Sequence, residues 1–177
     1  MIIWVNGAFG SGKTTLVAEV RGRLPEALVF DPEEVGFLLR RVVPDPAGDF
    51  RDLPLWRRQV VSLAAGLATE YGRPVLVPMT LVRPKYLAEV FDGLAEAGVP
   101  VRHFFLRVPD AVLAARIDAR SLTPDDPARD EQVRAWCRSR IAECRAAEAA
   151  MPLETAFLDG ELTPAQLADL LLADLAL

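Results

Sequence analysis

Gly7-Ala8-Phe9-Gly10-Ser11-Gly12-Lys13-Thr14 spells G-x-x-x-x-G-K-T and follows directly on the apolar run Ile2-Ile3-Trp4-Val5. The run is β-branched and aromatic, which predicts a buried strand. The segment from Thr15 to Leu24 sets Leu16, Val17, Val20 and Leu24 on one helical face. Strand, glycine-rich loop and helix in this order make a phosphate-binding loop. Backbone N–H groups at the helix start converge on one centre, and the helix dipole adds partial positive charge there. Gly7, Ala8, Phe9, Gly10, Ser11, Gly12, Lys13, Thr14 and Thr15 are therefore the expected contacts of a nucleotide triphosphate. Lys13 is expected to reach the β- and γ-phosphates as a point charge, and the Thr14 hydroxyl to ligate Mg²⁺.

Outward from this loop, strands and helices alternate to the end of the chain, which predicts an α/β fold with a parallel sheet covered on both faces. Strands are expected at 2–5, 27–30, 75–77, 101–108 and 155–158. Helices are expected at 13–23, 33–41, 56–71, 84–97, 110–120, 130–149 and 164–176. The 177 residues suit one domain with a full core. Two stretches interrupt the rhythm. Residues 43–57 open with a run rich in Pro and Asp, including Pro44, Asp45, Pro46 and Asp49, and are placed to cover an acceptor pocket. Residues 120–130 form a second such loop between arginine-bearing helices, with the character of a lid.

Composition narrows the partners. A net charge of −5 with pI near 5.0 argues against nucleic acid, whose binding depends on neutralising phosphates. Small molecules are the expected ligands. No apolar run approaches the roughly 18 to 20 residues that span a bilayer, and the N-terminus lacks a basic signal region. The polar face of the last helix carries Asp169 and Asp174, so it is expected to close the core and not to lie on a membrane. Cys137 and Cys144 lie seven apart in what reads as one helix, too far for a disulfide, and suit reduced thiols of a cytoplasmic protein.

In open parallel sheets ligands sit outside the carboxyl ends of the strands. Asp31 stands there, after the second strand. It could be the base that takes a proton from an acceptor hydroxyl, or a Mg²⁺ ligand through water. It could equally cap the helix that starts at Pro32. The third strand ends Val77-Pro78-Met79-Thr80 and offers no acid, which leaves Asp31 the best-placed carboxylate. Arg116 and Arg120 share one helix face and are expected over the phosphates, with Arg120 neutralising charge during transfer. Arg129, Arg134 and Arg138 read as surface residues. Phe50, Trp56, Arg57 and Arg40 are the expected acceptor contacts, although a hydrophobic staple explains Trp56 as well. Trp4 and Trp136 read as packing, His103 as structural, and Asp159 as a turn residue that brushes the nucleotide.

Four segments, M-I-I-W-V-N-G-A-F-G-S-G-K-T from Met1, V-F-D-P-E-E-V-G-F-L-L-R from Val29, D-F-R-D-L-P-L-W-R from Asp49 and V-L-V-P-M-T from Val75, closely resemble the ATP-binding tunicamycin-resistance family. That family is similar to small-molecule kinases of the nucleoside-kinase-like group, such as chloramphenicol phosphotransferase. The resemblance spans about the first 110 residues. It implies a five-stranded parallel sheet of order 2-3-1-4-5, ATP at Gly7 to Thr14, a lid near Arg120 to Asp130, and tunicamycin, a uridine-containing acylated antibiotic, as the ligand. By analogy Asp31 takes the place of the acid after the second strand. Many of these kinases carry an acid near the end of the third strand, which this chain lacks, and some family members carry a C-terminal amphiphilic segment not found before Leu177. The expectation is thus a soluble protein that either phosphorylates a nucleoside-like molecule or binds and sequesters it.

Overall fold

The structure is a computed structural model that describes residues 1–43, 48–121 and 123–176. Pro44, Asp45 and Pro46 of the first loop and Leu122 of the second lie outside the described residues. Five strands, β1 (Ile2–Gly7), β2 (Leu28–Val29), β3 (Val75–Pro78), β4 (Val101–Arg107) and β5 (Ala156–Asp159), form one parallel sheet of order β2-β3-β1-β4-β5. The expected order is the observed one.

β1 holds the centre because all six of its residues are buried, as a strand covered on both faces requires. Alternation along it splits the core in two. Ile2 and Trp4 pack with Val75, Val77 and Phe105 beneath α3 (Pro54–Glu70) and α4 (Pro84–Glu96). Ile3 and Val5 pack with Leu76, Phe104 and Leu106 beneath α1 (Lys13–Arg23) and α8 (Pro164–Asp174). Trp4 is fully buried and meets Phe91 edge-on at 5.5 Å. Removing a ring of that size from water stabilises the fold by roughly 3 kcal/mol.

The remaining helices are α2 (Glu33–Val42), α5 (Asp110–Asp118), α6 (Pro127–Ser139) and α7 (Ile141–Ala147), and a 3-10 turn runs over Phe50–Asp52. The long helix expected over 130–149 is instead two helices. The Arg140 N–H folds back to the Cys137 carbonyl at 3.1 Å and a new helix starts from Arg140. Cys137 and Cys144 are therefore on different helices, both free and buried. Among the described residues no helix is long and apolar enough to cross a membrane.

Candidate active site

The loop from β1 to α1 leaves the sheet at the carboxyl end of its central strand. Gly10 (φ 80°) and Gly12 (φ 98°) take left-handed backbone that only glycine adopts freely, and this wraps the chain around one centre. The Lys13 ammonium lies across the loop and donates to the carbonyls of Gly7 (3.0 Å) and Ala8 (2.8 Å). The Thr80 hydroxyl, at the end of β3 where an acid is absent, donates to the Gly7 carbonyl at 2.7 Å. Thr14 and Thr15 are exposed at the start of α1, and Ser11 is buried with no partner for its hydroxyl among the described residues.

A buried polar chain beneath the loop fixes its exit. The Asn6 side chain donates to the Leu81 carbonyl (2.7 Å) and accepts from the N–H groups of Leu81 (3.0 Å) and Gly7 (2.8 Å). Its amide also meets His103 Nε2 at 3.3 Å, and His103 Nδ1 lies 2.8 Å from the Thr155 hydroxyl. Burial holds the imidazole down to about 4, so it is neutral and links Asn6 of β1 to Thr155, just before β5. His103 is structural, as its sequence context implies.

Burial pulls the Lys13 ammonium down to about 8; nearby Cys144 and Glu33 pull it back up, and Arg120 and Arg51 press it further down. These neighbours define the site's charge. Asp31 sends Oδ1 to the Glu33 N–H at 2.9 Å, so one oxygen caps the first turn of α2. Burial raises the Asp31 carboxyl; that hydrogen bond and the charge of Lys13 lower it, while Glu34 raises it. Burial also raises Glu33, Asp31 adds to this, and Lys13, Arg51 and Arg120 oppose it. Glu33 is thus a second, partly buried carboxylate in the field of Lys13, Arg51 and Arg120, whereas Glu34 is exposed.

Acceptor contacts expected at 50–57 divide into two layers. Trp56 is fully buried and donates Nε1–H to the Pro32 carbonyl at 2.9 Å. Arg57 is buried too, paired with Glu89, donating to the Arg51 carbonyl at 2.6 Å and stacked 4.1 Å from the Tyr86 ring. Both side chains are turned inward, where Arg57 supports the segment that carries Phe50 and Arg51. Phe50 is half-buried against Gly36 and Trp56, and exposed Arg40 lies 5.2 Å from its ring. Arg51 is the residue that faces the loop. It is held by Asp49 and by the Thr80 carbonyl (2.9 Å), and its guanidinium stands 5.5 Å from the ring of Phe9. Burial would raise Asp49, but the hydrogen bonds and charge of Arg51 outweigh it and hold the carboxyl below its ordinary value.

Opposite stands the β4–β5 half of the sheet. Arg116 donates to the Gly160 carbonyl at 3.0 Å, and Asp159 accepts from the Glu161 N–H at 3.0 Å, so both shape the loop after β5. Arg134 and Arg138 are paired with acids, as surface residues are. Trp136 packs, as expected, but against the phosphate loop. It is 38% exposed and meets Phe9 of the phosphate loop edge-on at 4.9 Å. Sequence reasoning passed over Glu33, Arg51 and Trp136. A lone tryptophan in the charged helix P-A-R-D-E-Q-V-R-A-W-C-R-S was the one usable signal.

Loop, sheet order and lysine together define a P-loop nucleotide-binding protein of the kinase-like fold. By sequence the chain belongs to the AAA domain family, whose model matches residues 2–143. The tunicamycin resistance protein of Deinococcus radiodurans is similar at 28% identity and TM-score 0.76, over 99% of this chain and 95% of that one. A sugar kinase from Janibacter sp. HTCC2649 shares the fold at 22% identity and TM-score 0.69, with 99% and 94% covered. So does the APS kinase of Mycobacterium tuberculosis, solved with AMPPNP and APS, at 19% identity and TM-score 0.63, with 99% and 97% covered. No curated protein is significantly similar to the chain in sequence.

Proposed function

We propose that the protein transfers the γ-phosphoryl group of ATP to a hydroxyl of a nucleoside-like small molecule of the tunicamycin type. The observation that carries this is the gathering of charge at the phosphate loop: Lys13 donates to the carbonyls of Gly7 and Ala8, the Arg51 guanidinium stands 5.5 Å from the ring of Phe9, and Asp31 follows β2 with Oδ1 on the Glu33 N–H. Phosphoryl transfer needs cations on the moving group and a carboxylate on the attacking hydroxyl. A bound triphosphate would take over the Lys13 Nζ from the Gly7 and Ala8 carbonyls. The turn Asp31 to Glu33 would orient the acceptor and receive its proton. Arg120 would stabilise charge from the lid side.

The residues fit Mg²⁺. Among the described residues no three His, Cys, Asp or Glu side chains gather to hold an ion unaided. Mg²⁺, however, commonly rides on phosphate oxygens with one or two protein oxygens. The exposed Thr14 hydroxyl and, through water, Asp31 supply those. Held there, the ion would supply positive charge against the triphosphate.

A second reading, capture of the antibiotic with ATP held but not consumed, draws support from Thr80 standing where many kinases place an acid. One experiment separates them. Protein, ATP, Mg²⁺ and excess tunicamycin are incubated and antibiotic mass is followed. Gain of one phosphoryl unit on many molecules per protein establishes transfer; tight one-to-one binding with unchanged mass overturns it in favour of capture.

A further inference from the structure

α2 is apolar on two sides. Val35 and Leu39 belong to the core, and Gly36 meets the ring of Phe50. On the other side Phe37, Leu38 and Val42 lie open, and Val43 continues them past the end of the helix. Leu38 is 51% and Val42 68% exposed. Large apolar side chains elsewhere on the surface, such as Leu63, Leu153 and Leu170, are spread singly along the chain. Single ones need no explanation. A cluster within residues 37–43 does, because a helix apolar on both sides calls for a second neighbour.

Charge on the same face tells what that neighbour is. Glu34, Phe37, Leu38 and Arg41 are spaced i, i+3, i+4, i+7 and are all exposed, so they form one outward line. Laid antiparallel on a copy of itself, about a two-fold axis between Phe37 and Leu38, this line is its own complement. Glu34 then falls opposite Arg41 of the second copy and Phe37 opposite its Leu38, each contact made twice. A parallel pairing would set Glu34 on Glu34 and Arg41 on Arg41, and would repel. The helix dipole accounts for an acid at the start of α2 and a base at its end, but not for the apolar pair between them. Among the described residues neither Glu34 nor Arg41 has an ion-pair partner within the chain, whereas Arg102, Arg134 and Arg138 each hold an acid.

We propose that the outward face of α2 is an isologous interface between two copies of this chain, with the helices antiparallel, Phe37 and Leu38 at the centre and a Glu34–Arg41 pair at each end. One helix face covers less than the roughly 800 Å² per partner of a standard complex, so the dimer is weak, with a Kd on the order of 10 to 100 μM. α2 starts at the turn from Asp31 to Glu33 and carries Gly36 beneath Phe50, so pairing braces the element on which the acceptor side is built. The interface does not depend on which molecule the site phosphorylates.

Sedimentation velocity of the full chain without ligands, from about 1 to 500 μM, reads the association directly. Wild type is expected to pass from monomer to dimer across that range. L38D buries a charge at the centre and should bind itself at least about tenfold more weakly. E34R and R41E each set like charges opposite one another at both ends, and each alone should also lose about tenfold. All three changes are at exposed positions, and circular dichroism melting checks that the fold is kept. Mixed in equal amounts, E34R and R41E supply each other's complement and should form a heterodimer with near wild-type affinity. That recovery is specific to the antiparallel register. A wild type that stays monomeric throughout overturns the proposal, as does a dimer that L38D, E34R and R41E leave intact, or a mixture no tighter than its components. A monomeric wild type that floats with phosphatidylglycerol vesicles, while L38D does not, overturns it in favour of a membrane surface.

Discussion

His103 shows at the scale of one residue how burial becomes a property that can be measured. Its imidazole titrates near 4 in the folded protein against an ordinary 6.5, because charging it would strand a cation in the core. Between those values the unfolded chain binds more protons than the folded one. Stability from this group is therefore fully present above pH 6.5 and is lost as pH falls toward 4, by on the order of 3 kcal/mol. Carboxylates titrate in the same window, so the test is a comparison. H103Q should be less stable than wild type in urea at pH 7, and the gap should shrink by about 2 to 3 kcal/mol at pH 4.5. An equal gap at both values would place the histidine's protonation outside the folding balance. The role of His103 was legible in the sequence because a lone histidine in an apolar strand has few other uses. Trp56 and Arg57 were not: an aromatic next to two arginines reads the same whether it faces a ligand or supports the residues that do. Only the third dimension separates Trp56, bonded to the Pro32 carbonyl, from Trp136, half open above Phe9.

At the scale of elements, the acceptor side depends on how α2 meets the 3-10 turn at Phe50–Asp52. Gly36 lies inside α2, where alanine alone would favour the helix by about 1 kcal/mol. A Cβ at Gly36, however, would come 2.5 Å from Cγ of Phe50, a ring already boxed by Phe37 and Trp56. Overpacking of this kind costs about 1 to 3 kcal/mol, so it outweighs the propensity gain. G36A should lower stability by about 1 kcal/mol in denaturant titration. It should also weaken acceptor binding, since Arg51 follows Phe50 directly; an intact or raised stability would show that the turn yields freely. Periodicity made six of the eight α-helices among the described residues legible to within a few residues. The break that splits α6 from α7 was hidden because Ser139-Arg140 contains neither glycine nor proline. The turn at Phe50–Asp52 was hidden because Asp49 caps it by accepting the Arg51 N–H at 3.0 Å, a local bond inside what reads as irregular chain.

For the whole molecule, the alternation of strands and helices made the layered α/β architecture legible, and the glycine loop located the phosphate end of the sheet. Charge was harder to place, because Glu33 and Arg51 come from segments joined only by folding. The loop ties α1, the end of β3 and the Arg51 turn together: Lys13 holds Gly7 and Ala8, Thr80 holds Gly7, and Arg51 holds Thr80. A nucleotide bound there should therefore stabilise the entire fold by mass action and not merely order one loop. At a hundredfold excess over its Kd a ligand adds about 2.7 kcal/mol, which raises the Tm of a domain this size by roughly 5 to 10 °C. Wild type with ATP and Mg²⁺ should show that rise, and a non-hydrolysable analogue should match it because binding, not transfer, supplies the energy. K13A loses the charge proposed to take up the triphosphate and should show almost none at the same concentration. Its Tm without ligand serves as the control, since the lysine also bonds two loop carbonyls and its removal lowers the baseline. A K13A shift equal to wild type would mean that the loop amides hold the nucleotide by themselves, and the charge cluster around Lys13 would then have to serve the acceptor alone.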